Sequence, residues 1–268
     1  MPLKHRIIPV LLYDYTTKQA VKTVQFKYPG RPVGSMMQHI LNYQKRDIDE
    51  LIVLDYRATI DGREPDYSAV QRYASQLYCP LTIGGGVRSI QHIKNLLNAG
   101  ADKVAIKTAT HIIPEAVHKF GAQAIIGVLD YQRDHALKKV LIEMAFEFTK
   151  VGEVLLTSVD HEGMRGGYDP PVIAHIRKLL KCPIIANGGC GDELHMLEAI
   201  QEGADAVAAS SVFLVTGVTP KSCAKFLHSK GVNVRLDEGK FVSDIDRLRQ
   251  EWEASKKNDR DNSAKKKG

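Results

Sequence analysis

The chain has 268 residues, of which 44% are hydrophobic, enough for the core of one large α/β barrel or of two small domains. Its net charge of +6 would suit a nucleic-acid-binding protein, but residues 256–268 carry six basic and two acidic side chains, so the remainder is nearly neutral. There is no basic stripe with interleaved aromatic residues, and no apolar run approaches the roughly 20 residues of a membrane span. We therefore expect no nucleic acid and no membrane among its partners.

The N-terminus and the cysteines indicate an intracellular protein. Residues 1–10 lack the apolar block and cleavage site of a signal peptide, which predicts a cytoplasmic location. The four cysteines have no partners at metal-ligand spacing, so we expect neither a disulfide framework nor a zinc site. We predict no other metal and no cofactor.

Short apolar runs alternate with amphipathic stretches along the chain, which is the pattern of βα units around a parallel sheet. The predicted strands are residues 6–12, 50–55, 81–83, 103–106, 124–130, 153–158, 184–187 and 206–209. The helical patterns between them include residues 90–99, 135–149, 172–180 and 193–202. Eight such units predict a (β/α)8 barrel over residues 1–236. Residues 237–268 are predicted to form a C-terminal helix and a disordered basic tail.

The chain matches itself when it is shifted by 103 positions. The shift superimposes a cysteine-proline pair, a glycine pair and a glycine-alanine-aspartate motif, which begin at 79, 85 and 100 in the first half. Such equal units indicate two similar half-barrels, whereas a doubly wound sheet gives no reason for this symmetry. We therefore predict an α/β (β/α)8 barrel of two half-barrels, followed by a charged C-terminal extension.

Glycine pairs and hydroxyl groups recur at matching points of the two halves, just after predicted strands. The residues in these positions are Gly85, Gly86, Thr108, Gly188, Gly189, Ser210 and Ser211. Glycine allows the backbone to approach a ligand closely and to turn its N–H groups toward an anion, and hydroxyl groups add hydrogen bonds. The alternative is a pair of tight turns without a ligand. The symmetry favours two phosphate sites that face each other across the barrel mouth.

Asp130 ends the fifth predicted strand and should project into the mouth, where a partly desolvated carboxylate is a candidate general acid or base. The symmetric position on the first strand is Leu12, which cannot transfer a proton. Asp14 lies close by in sequence and could substitute only if its loop bends inward. We expect Asp14 to be an exposed turn residue.

Four further polar residues near strand ends each have two interpretations. Asp55 and Asp160 could orient a ligand hydroxyl or anchor a loop, and His161 suits a ligand-facing loop or an ordinary one. Lys22 lies in a segment, residues 21–26, that could fold over the mouth. There the lysine would either close on a phosphate or remain solvated.

Several motifs resemble one known family, the cyclase subunit of imidazole glycerol phosphate synthase of histidine biosynthesis. They are RIIPVLL, DELIVLD, GGGV, GADKVAI, EVLLTSVD, GGYD, GADAVAASSVF and KGVNVR, and they extend over residues 6–235. The resemblance implies a (β/α)8 barrel, in agreement with the strand pattern. It also implies an enzyme that takes ammonia from a glutaminase docked on the opposite face and uses it to cleave and cyclise a ribulosyl bis-phosphate.

The resemblance assigns roles to single residues. Those that correspond to the family's two phosphate sites are Gly86, Lys107, Thr108, Glu162, Gly163, Gly189, Ser210 and Ser211. Lys107 stands where the family usually has asparagine, and Glu162 where it has aspartate. Lys22 corresponds to the loop lysine and Asp130 to the second catalytic aspartate. The first catalytic aspartate corresponds to Leu12, so the acid–base pair is broken and the catalytic activity of the barrel itself stays open.

The resemblance also implies a route for ammonia. The residues that correspond to a charged gate at the bottom of the family barrel are Arg6, Glu50, Lys103 and Glu153. Asp102 corresponds to an aspartate that contacts the glutaminase. The alternative is a salt-bridged plug that only stabilises the barrel floor.

A retained gate with a missing acid resembles a divergent branch of this family, associated with surface-polysaccharide biosynthesis. There an amide on a nucleotide-linked sugar becomes an amidine. We therefore expect a barrel that works with a class I glutaminase and a separate sugar amidotransferase, and that binds a phosphorylated small molecule. The alternatives are a genuine cyclase in which Asp14 or water replaces the acid, a non-catalytic scaffold or ammonia channel, and an aldose–ketose isomerase, which Leu12 also disfavours.

Overall fold

The computed structural model describes residues 4–46, 48–133 and 148–236. The strands are β1 (Arg6–Asp14), β2 (Gln19–Lys22), β3 (Arg31–Ser35), β4 (Leu51–Asp55), β5 (Leu81–Gly84), β6 (Lys103–Ile106), β7 (Ile125–Tyr131), β8 (Glu153–Ser158), β9 (Ile184–Asn187) and β10 (Ala206–Ala209). The α-helices of these residues are α1 (Met36–Gln44), α2 (Tyr67–Ala74), α3 (Ile90–Asn98), α4 (Ile113–Phe120), α5 (Pro170–Leu179), α6 (Glu193–Gln201), α7 (Ser211–Val215) and α8 (Pro220–Ser229).

Two predicted segments fall outside this description. The predicted helix over residues 135–149 lies outside the described residues except for its last two, which belong to a turn. The predicted extension over residues 237–268 lies wholly outside them. Within the described ranges, none of the helices is long and apolar enough to cross a membrane.

Eight parallel strands close into a barrel, which confirms the predicted fold class. Their order around the barrel is β1, β4, β5, β6, β7, β8, β9 and β10, and β10 pairs again with β1. The closing register places Arg6 opposite Ala206 and Pro9 opposite Ala209. Because all eight strands run in the same direction, their C-terminal ends form one rim, the mouth, and their N-terminal ends form the floor.

Alternation along the strands explains the core. Inward-facing side chains on β1 are Ile8, Val10 and Leu12, at every second position, and all three are buried in a cluster inside the barrel. The intervening residues Ile7 and Leu11 are buried as well. Strands that are buried on both faces read as continuous apolar runs, which is why the sequence pattern identified them.

The two halves use the same device to begin a helix. Ser89 and Asp192 match under the shift of 103, and they precede α3 and α6. Each side chain accepts a hydrogen bond from the backbone N–H three residues further on, of His92 and His195. This capping satisfies an amide that would otherwise lack a partner.

An antiparallel hairpin, β2 and β3, was not predicted as strands. It pairs with the end of β1, where Leu12 faces Val21 and Asp14 faces Gln19. This pairing extends β1 two residues beyond its predicted end at Leu12. The strands of the hairpin are only four and five residues long, and their pairing becomes visible only once β1 is in place.

Candidate functional site

Four charged side chains form a closed ring at the barrel floor, and these are the predicted gate residues. Arg6 Nη1 lies 2.5 Å from Glu50 Oε1 and 2.9 Å from Glu153 Oε1. Lys103 Nζ lies 3.0 Å from both carboxylate oxygens of Glu50 and 3.4 Å from Glu153 Oε2. Burial disfavours the charge of Arg6, but the two glutamates outweigh this effect and raise its pKa. Each cation therefore contacts both carboxylates.

An apolar layer lies directly above the ring. The residues two positions along the chain from the four ring residues belong to the buried cluster inside the barrel; they are Ile8, Ile52, Ala105 and Leu155. Side chains two positions apart on a strand share a face, so this layer is the next level toward the mouth. An apolar layer disfavours charged species much more strongly than small neutral ones.

Asp102 and its repeat mate Asp205 lie at the floor in different electrostatic surroundings. Each carboxylate accepts a hydrogen bond from the backbone N–H that begins the adjacent strand, at 2.8 Å and 2.9 Å. Asp205 also forms an ion pair with Arg177, at 2.8 Å. The position that matches Arg177 in the first half is Ala74, so the exposed Asp102 lacks the counterpart of this cation.

At the mouth, Asp130 is paired with a cation. Lys107 Nζ lies 2.7 Å from Asp130 Oδ2, and the Asp130 side chain is only 14% exposed. The structure thus brings together a predicted catalytic residue and a predicted phosphate ligand. Across the barrel, Leu12 is 2% exposed and belongs to the apolar core. Asp130 therefore pairs with Lys107, while the position of the family's other catalytic carboxylate holds the apolar side chain of Leu12.

Residues 23–26, hereafter the lid segment, fold over the mouth and are fastened by Glu162. The Thr23 hydroxyl and the Phe26 N–H donate to the two oxygens of the Glu162 carboxylate, each at 2.9 Å. The Gln25 N–H donates to the Glu162 carbonyl at 3.0 Å. The Phe26 ring packs against the core cluster that contains Leu12. The Glu162 side chain thus binds the lid segment, although the family resemblance assigned this residue to a phosphate site.

The second half of the barrel has a small, open cleft at the mouth. It brings together the predicted second-half residues Glu162, Gly163, Gly188, Gly189, Ser210 and Ser211. Arg165, with a left-handed backbone at φ 60°, also lines it, and Leu12 and Phe26 contribute an apolar wall. The Ser210 hydroxyl is buried and lacks a hydrogen-bond partner among the described residues.

The first half arranges its predicted phosphate residues differently. The Gly86 N–H donates to the Thr59 hydroxyl at 3.3 Å, and Lys107 is held by Asp130. Thr108 is exposed, whereas its mate Ser211 is 7% exposed and lines the cleft of the second half. Gly85 lies against the Asp55 carbonyl, which leaves no room for a side chain.

Asp55 and Asp160 anchor loops. Asp55 accepts two hydrogen bonds from the Arg63 guanidinium, at 3.0 Å and 3.1 Å, and one from the backbone N–H of Ala58. Asp160 accepts the backbone N–H of Arg133 at 2.7 Å. Of the two interpretations left open by the sequence, these contacts favour loop anchoring.

Three other residues can now be placed. Lys22 ends β2 and is half-buried, and its charge favours the ionised form of Glu162. The expectation that Asp14 is an exposed turn residue is wrong: Asp14 is 6% exposed, because pairing with β2 extends β1 to this position. Its carboxylate accepts the Thr16 N–H at 2.8 Å. His161 is half-buried in its loop beside Gly189.

Sequence reasoning missed several residues of the mouth. Arg165 gave no periodic or motif signal, since its position depends on how its loop bends. Phe26 belongs to residues 21–26, which the sequence marked as able to fold over the mouth, but the packing of its ring against the core was not predicted. Thr59 could have been found from the internal repeat, because it matches Glu162 under the shift of 103. The bidentate ion pair of Arg133 with the buried Asp169 joins residues 36 positions apart and has no local signal.

The chain is similar to known proteins of one family. A family model described as histidine biosynthesis protein matches residues 6–219. A Campylobacter jejuni protein with the provisional name imidazole glycerol phosphate synthase subunit hisF2 is 37% identical over 250 residues, which cover 87% of this chain and 99% of that protein.

Proposed function

This chain belongs to the family of histidine biosynthesis proteins, and we propose that it is the ammonia-receiving barrel of a glutamine amidotransferase complex. The observation that carries the proposal is the closed ring of Arg6, Glu50, Lys103 and Glu153 at the floor. A merely structural plug would require paired charges, but it would not require all four residues to correspond to the gate of the family.

The interior above the ring suits ammonia rather than ammonium. Ala105 contributes only a methyl group to the first apolar layer, and Ala206 and Ala208 contribute the same small side chain elsewhere in the cluster. A neutral molecule crosses such a region at lower cost than an ion. We propose that the ring releases ammonia, one molecule at a time, when the Lys103 side chain moves away from Glu50 and Glu153.

The proposed partner is a class I glutaminase docked on the floor. The exposed charge of Asp102, beside a strand start at the same end as the ring, would pair with a cation of that subunit. The matching Asp205 is already neutralised by Arg177 and offers no such charge. Docking would thus favour the first-half side of the floor.

The proposed destination of the ammonia is a separate sugar amidotransferase of polysaccharide biosynthesis. This part rests on the resemblance to the divergent family branch, which is carried by the motifs RIIPVLL, VKTVQFK and DGREPD. It also rests on Leu12, which leaves Asp130 without a second carboxylate for acid–base chemistry. The relative named subunit hisF2 is compatible with either destination.

The test is to mix the full chain with a class I glutaminase from the same organism and to measure glutamate release. We expect activation of the glutaminase without turnover of the ribulosyl bis-phosphate intermediate. Asp102→Asn keeps the acceptor for the strand N–H but removes the charge, and should weaken docking by about tenfold. The matched variant Asp205→Asn should leave docking unchanged. Robust cyclisation, or equal effects of the two variants, would contradict the proposal.

One observation favours a second candidate, a genuine cyclase. Asp14 is buried and lies on the same face of β1 as Leu12, one step closer to the mouth, so a carboxylate is available near the missing acid. Complementation of a strain that lacks the cyclase would support this function. Rescue should then be lost in both Asp14→Asn and Asp130→Asn, and rescue that survives both substitutions would rule this mechanism out.

A further inference from the structure

Among the described residues, most of the large exposed apolar side chains lie at the mouth end of the barrel. Tyr15, Tyr28 and Ile60 are three of them, and each follows a barrel strand, β1 or β4. Tyr78, in contrast, precedes β5 and lies at the floor. Single exposed apolar residues are ordinary on a protein surface, whereas a continuous apolar patch marks an interaction site. The question is therefore whether the three residues of the mouth form one surface.

One chain of contacts joins the two tyrosines. The Arg57 guanidinium carbon lies 4.7 Å from the centre of the Tyr28 ring, and that of Arg63 lies 4.3 Å from the centre of the Tyr15 ring. Both guanidinium groups donate to the carboxylate of Asp61, at 2.7 Å and 3.3 Å. The rings are thus held in place before a partner arrives, which lowers the entropy lost on binding.

Ile60 and two cations complete this surface. Ile60 is 71% exposed and lies in the turn between the two arginines, which the Asp61 N–H closes by donating to the Arg57 carbonyl at 2.9 Å. Lys27 and Arg31 flank Tyr28 along the chain, and both are exposed. Neither cation forms an ion pair with another described residue. Their charges are therefore available to a partner.

The rim patch is the name we give to Tyr15, Lys27, Tyr28, Arg31 and Ile60. It combines apolar side chains with a positive border, since residues 15–35 carry four basic side chains and no acidic one. A complementary partner presents an apolar pocket bordered by carboxylates. A second copy of this chain does not fit, because it would bring like charges together.

The position of the rim patch indicates which partner it receives. Ammonia that enters at the floor leaves at the mouth, beside the patch. If it reached bulk water at neutral pH it would be protonated, as simple amines are, and a protonated amine has no lone pair with which to attack. An enzyme that uses this ammonia has to cover the mouth.

We infer that the rim patch is the docking surface for the enzyme that consumes the ammonia, a protein with an apolar pocket bordered by carboxylates. This inference rests on the proposed function, because it takes the ammonia route as given. It adds that the barrel has a protein partner at each end, with the glutaminase at the floor and the acceptor enzyme at the mouth.

The test is calorimetric titration of the full chain with the purified sugar amidotransferase of the same organism. We expect a one-to-one complex, which Tyr28→Ala should weaken by about tenfold or more, because exposed tyrosines that become buried at an interface dominate its affinity. The matched control is Tyr78→Ala, which removes an equally large exposed ring at the floor. It should change the affinity by less than about twofold.

The positive border is tested separately. Lys27→Glu and Arg31→Glu should each weaken the complex by about fivefold, and the loss should shrink as the salt concentration rises. Lys94→Glu makes the same charge change at an exposed position of α3, outside the rim patch, and is the control. Equal effects of all three substitutions would contradict a docking role for the rim patch.

Thermal melting of each variant establishes that it is folded. If the wild-type chain activates the glutaminase but does not bind the amidotransferase, the inference is overturned while the proposed function stands. The same holds if Tyr78→Ala weakens the complex as much as Tyr28→Ala, or if ultracentrifugation shows a dimer of this chain that Tyr28→Ala dissociates. Absence of glutaminase activation would contradict the proposed function, and this inference with it.

Discussion

At the scale of single residues, the mouth has one carboxylate, Asp130, where the family resemblance implies a pair of catalytic aspartates. Leu12 places a buried methyl-bearing side chain where proton transfer would require an acid, and Lys107 holds the remaining carboxylate of Asp130. Glu162 reaches from the loop after β8 to the lid segment and binds it with both oxygens. The role of Glu162 therefore follows from its contacts with Thr23 and Phe26, which its residue type alone does not predict.

Glu162 should make stability depend on pH. Burial raises the pKa of its carboxyl, although the Phe26 N–H and the Thr23 hydroxyl act in the opposite direction. The folded protein then holds this proton more tightly than the unfolded chain. The resulting stabilisation of the fold is fully present below the ordinary glutamate pKa of about 4.3. It is lost as the pH rises through the raised pKa of Glu162 in the folded protein.

We predict that Glu162→Gln flattens the decline in the free energy of unfolding over this pH interval. The amide oxygen can still accept the Phe26 N–H, and the amide N–H can donate to the Thr23 hydroxyl, so the lid segment should stay in place. Urea unfolding at a series of pH values measures the effect, with the exposed Glu115→Gln as control. A constant difference between the wild type and Glu162→Gln across all pH values would contradict the prediction.

At the scale of elements, the β2–β3 hairpin and its lid segment convert an open barrel rim into a partly covered one. Lys22 ends β2, and Gln25 and Phe26 then adopt positive φ values, 56° and 53°, which turn the Phe26 ring inward. Such conformations are uncommon outside glycine and asparagine, so surrounding contacts must hold them. Those contacts are Glu162 on one side and the apolar cluster around Leu12 on the other.

We predict that Phe26→Ala loosens the lid segment. Loss of a partly buried ring should lower the free energy of unfolding by about 1–3 kcal/mol. Amide hydrogen exchange should accelerate over residues 23–26. Tyr28→Ala is the matched control, because Tyr28 is 56% exposed and its main contact is a stack with Arg57. Equal losses of stability for the two variants would mean that the ring of Phe26 does not fasten the segment.

At the scale of the whole molecule, the floor ring connects the two halves. Arg6 and Glu50 belong to the first quarter of the barrel, Lys103 to β6 and Glu153 to β8, so the ring joins strands from both repeats. Surface ion pairs contribute about 0–1 kcal/mol each, but removing one member of a buried network leaves an uncompensated charge. The ring should therefore stabilise barrel closure as well as control passage.

We predict that Glu50→Gln lowers the free energy of unfolding by about 2–4 kcal/mol, because Arg6 and Lys103 would then share a single carboxylate. Glu153→Gln should cost less, since the Glu153 side chain is 15% exposed and that of Glu50 is 7% exposed. Urea unfolding at low salt measures both changes. An effect of Glu50→Gln no larger than that of an exposed glutamate such as Glu115 would show that the four charges are not coupled.

The order of strands, the closed barrel and its internal repeat could be predicted from the sequence. Strands buried on both faces, such as β7 and β8, appear as continuous apolar runs, and a shift of 103 positions superimposes the repeated motifs. The four ring residues were named from the family resemblance, and each of them stands at the start of a strand or just before it. These are local properties, set by which side of a strand a residue occupies.

Only the tertiary structure decided what surrounds each candidate group. Lys107 follows β6 and Asp130 lies on β7, and Glu162 meets Thr23 across 139 positions, so no local pattern encodes either contact. The burial of Asp14 depends on a hairpin whose strands pair only after β1 has formed. The sequence determined that the two halves are alike. Long-range contacts decided how the groups at the mouth are paired, because Lys107 reaches Asp130 and Glu162 reaches the lid segment only in the folded chain.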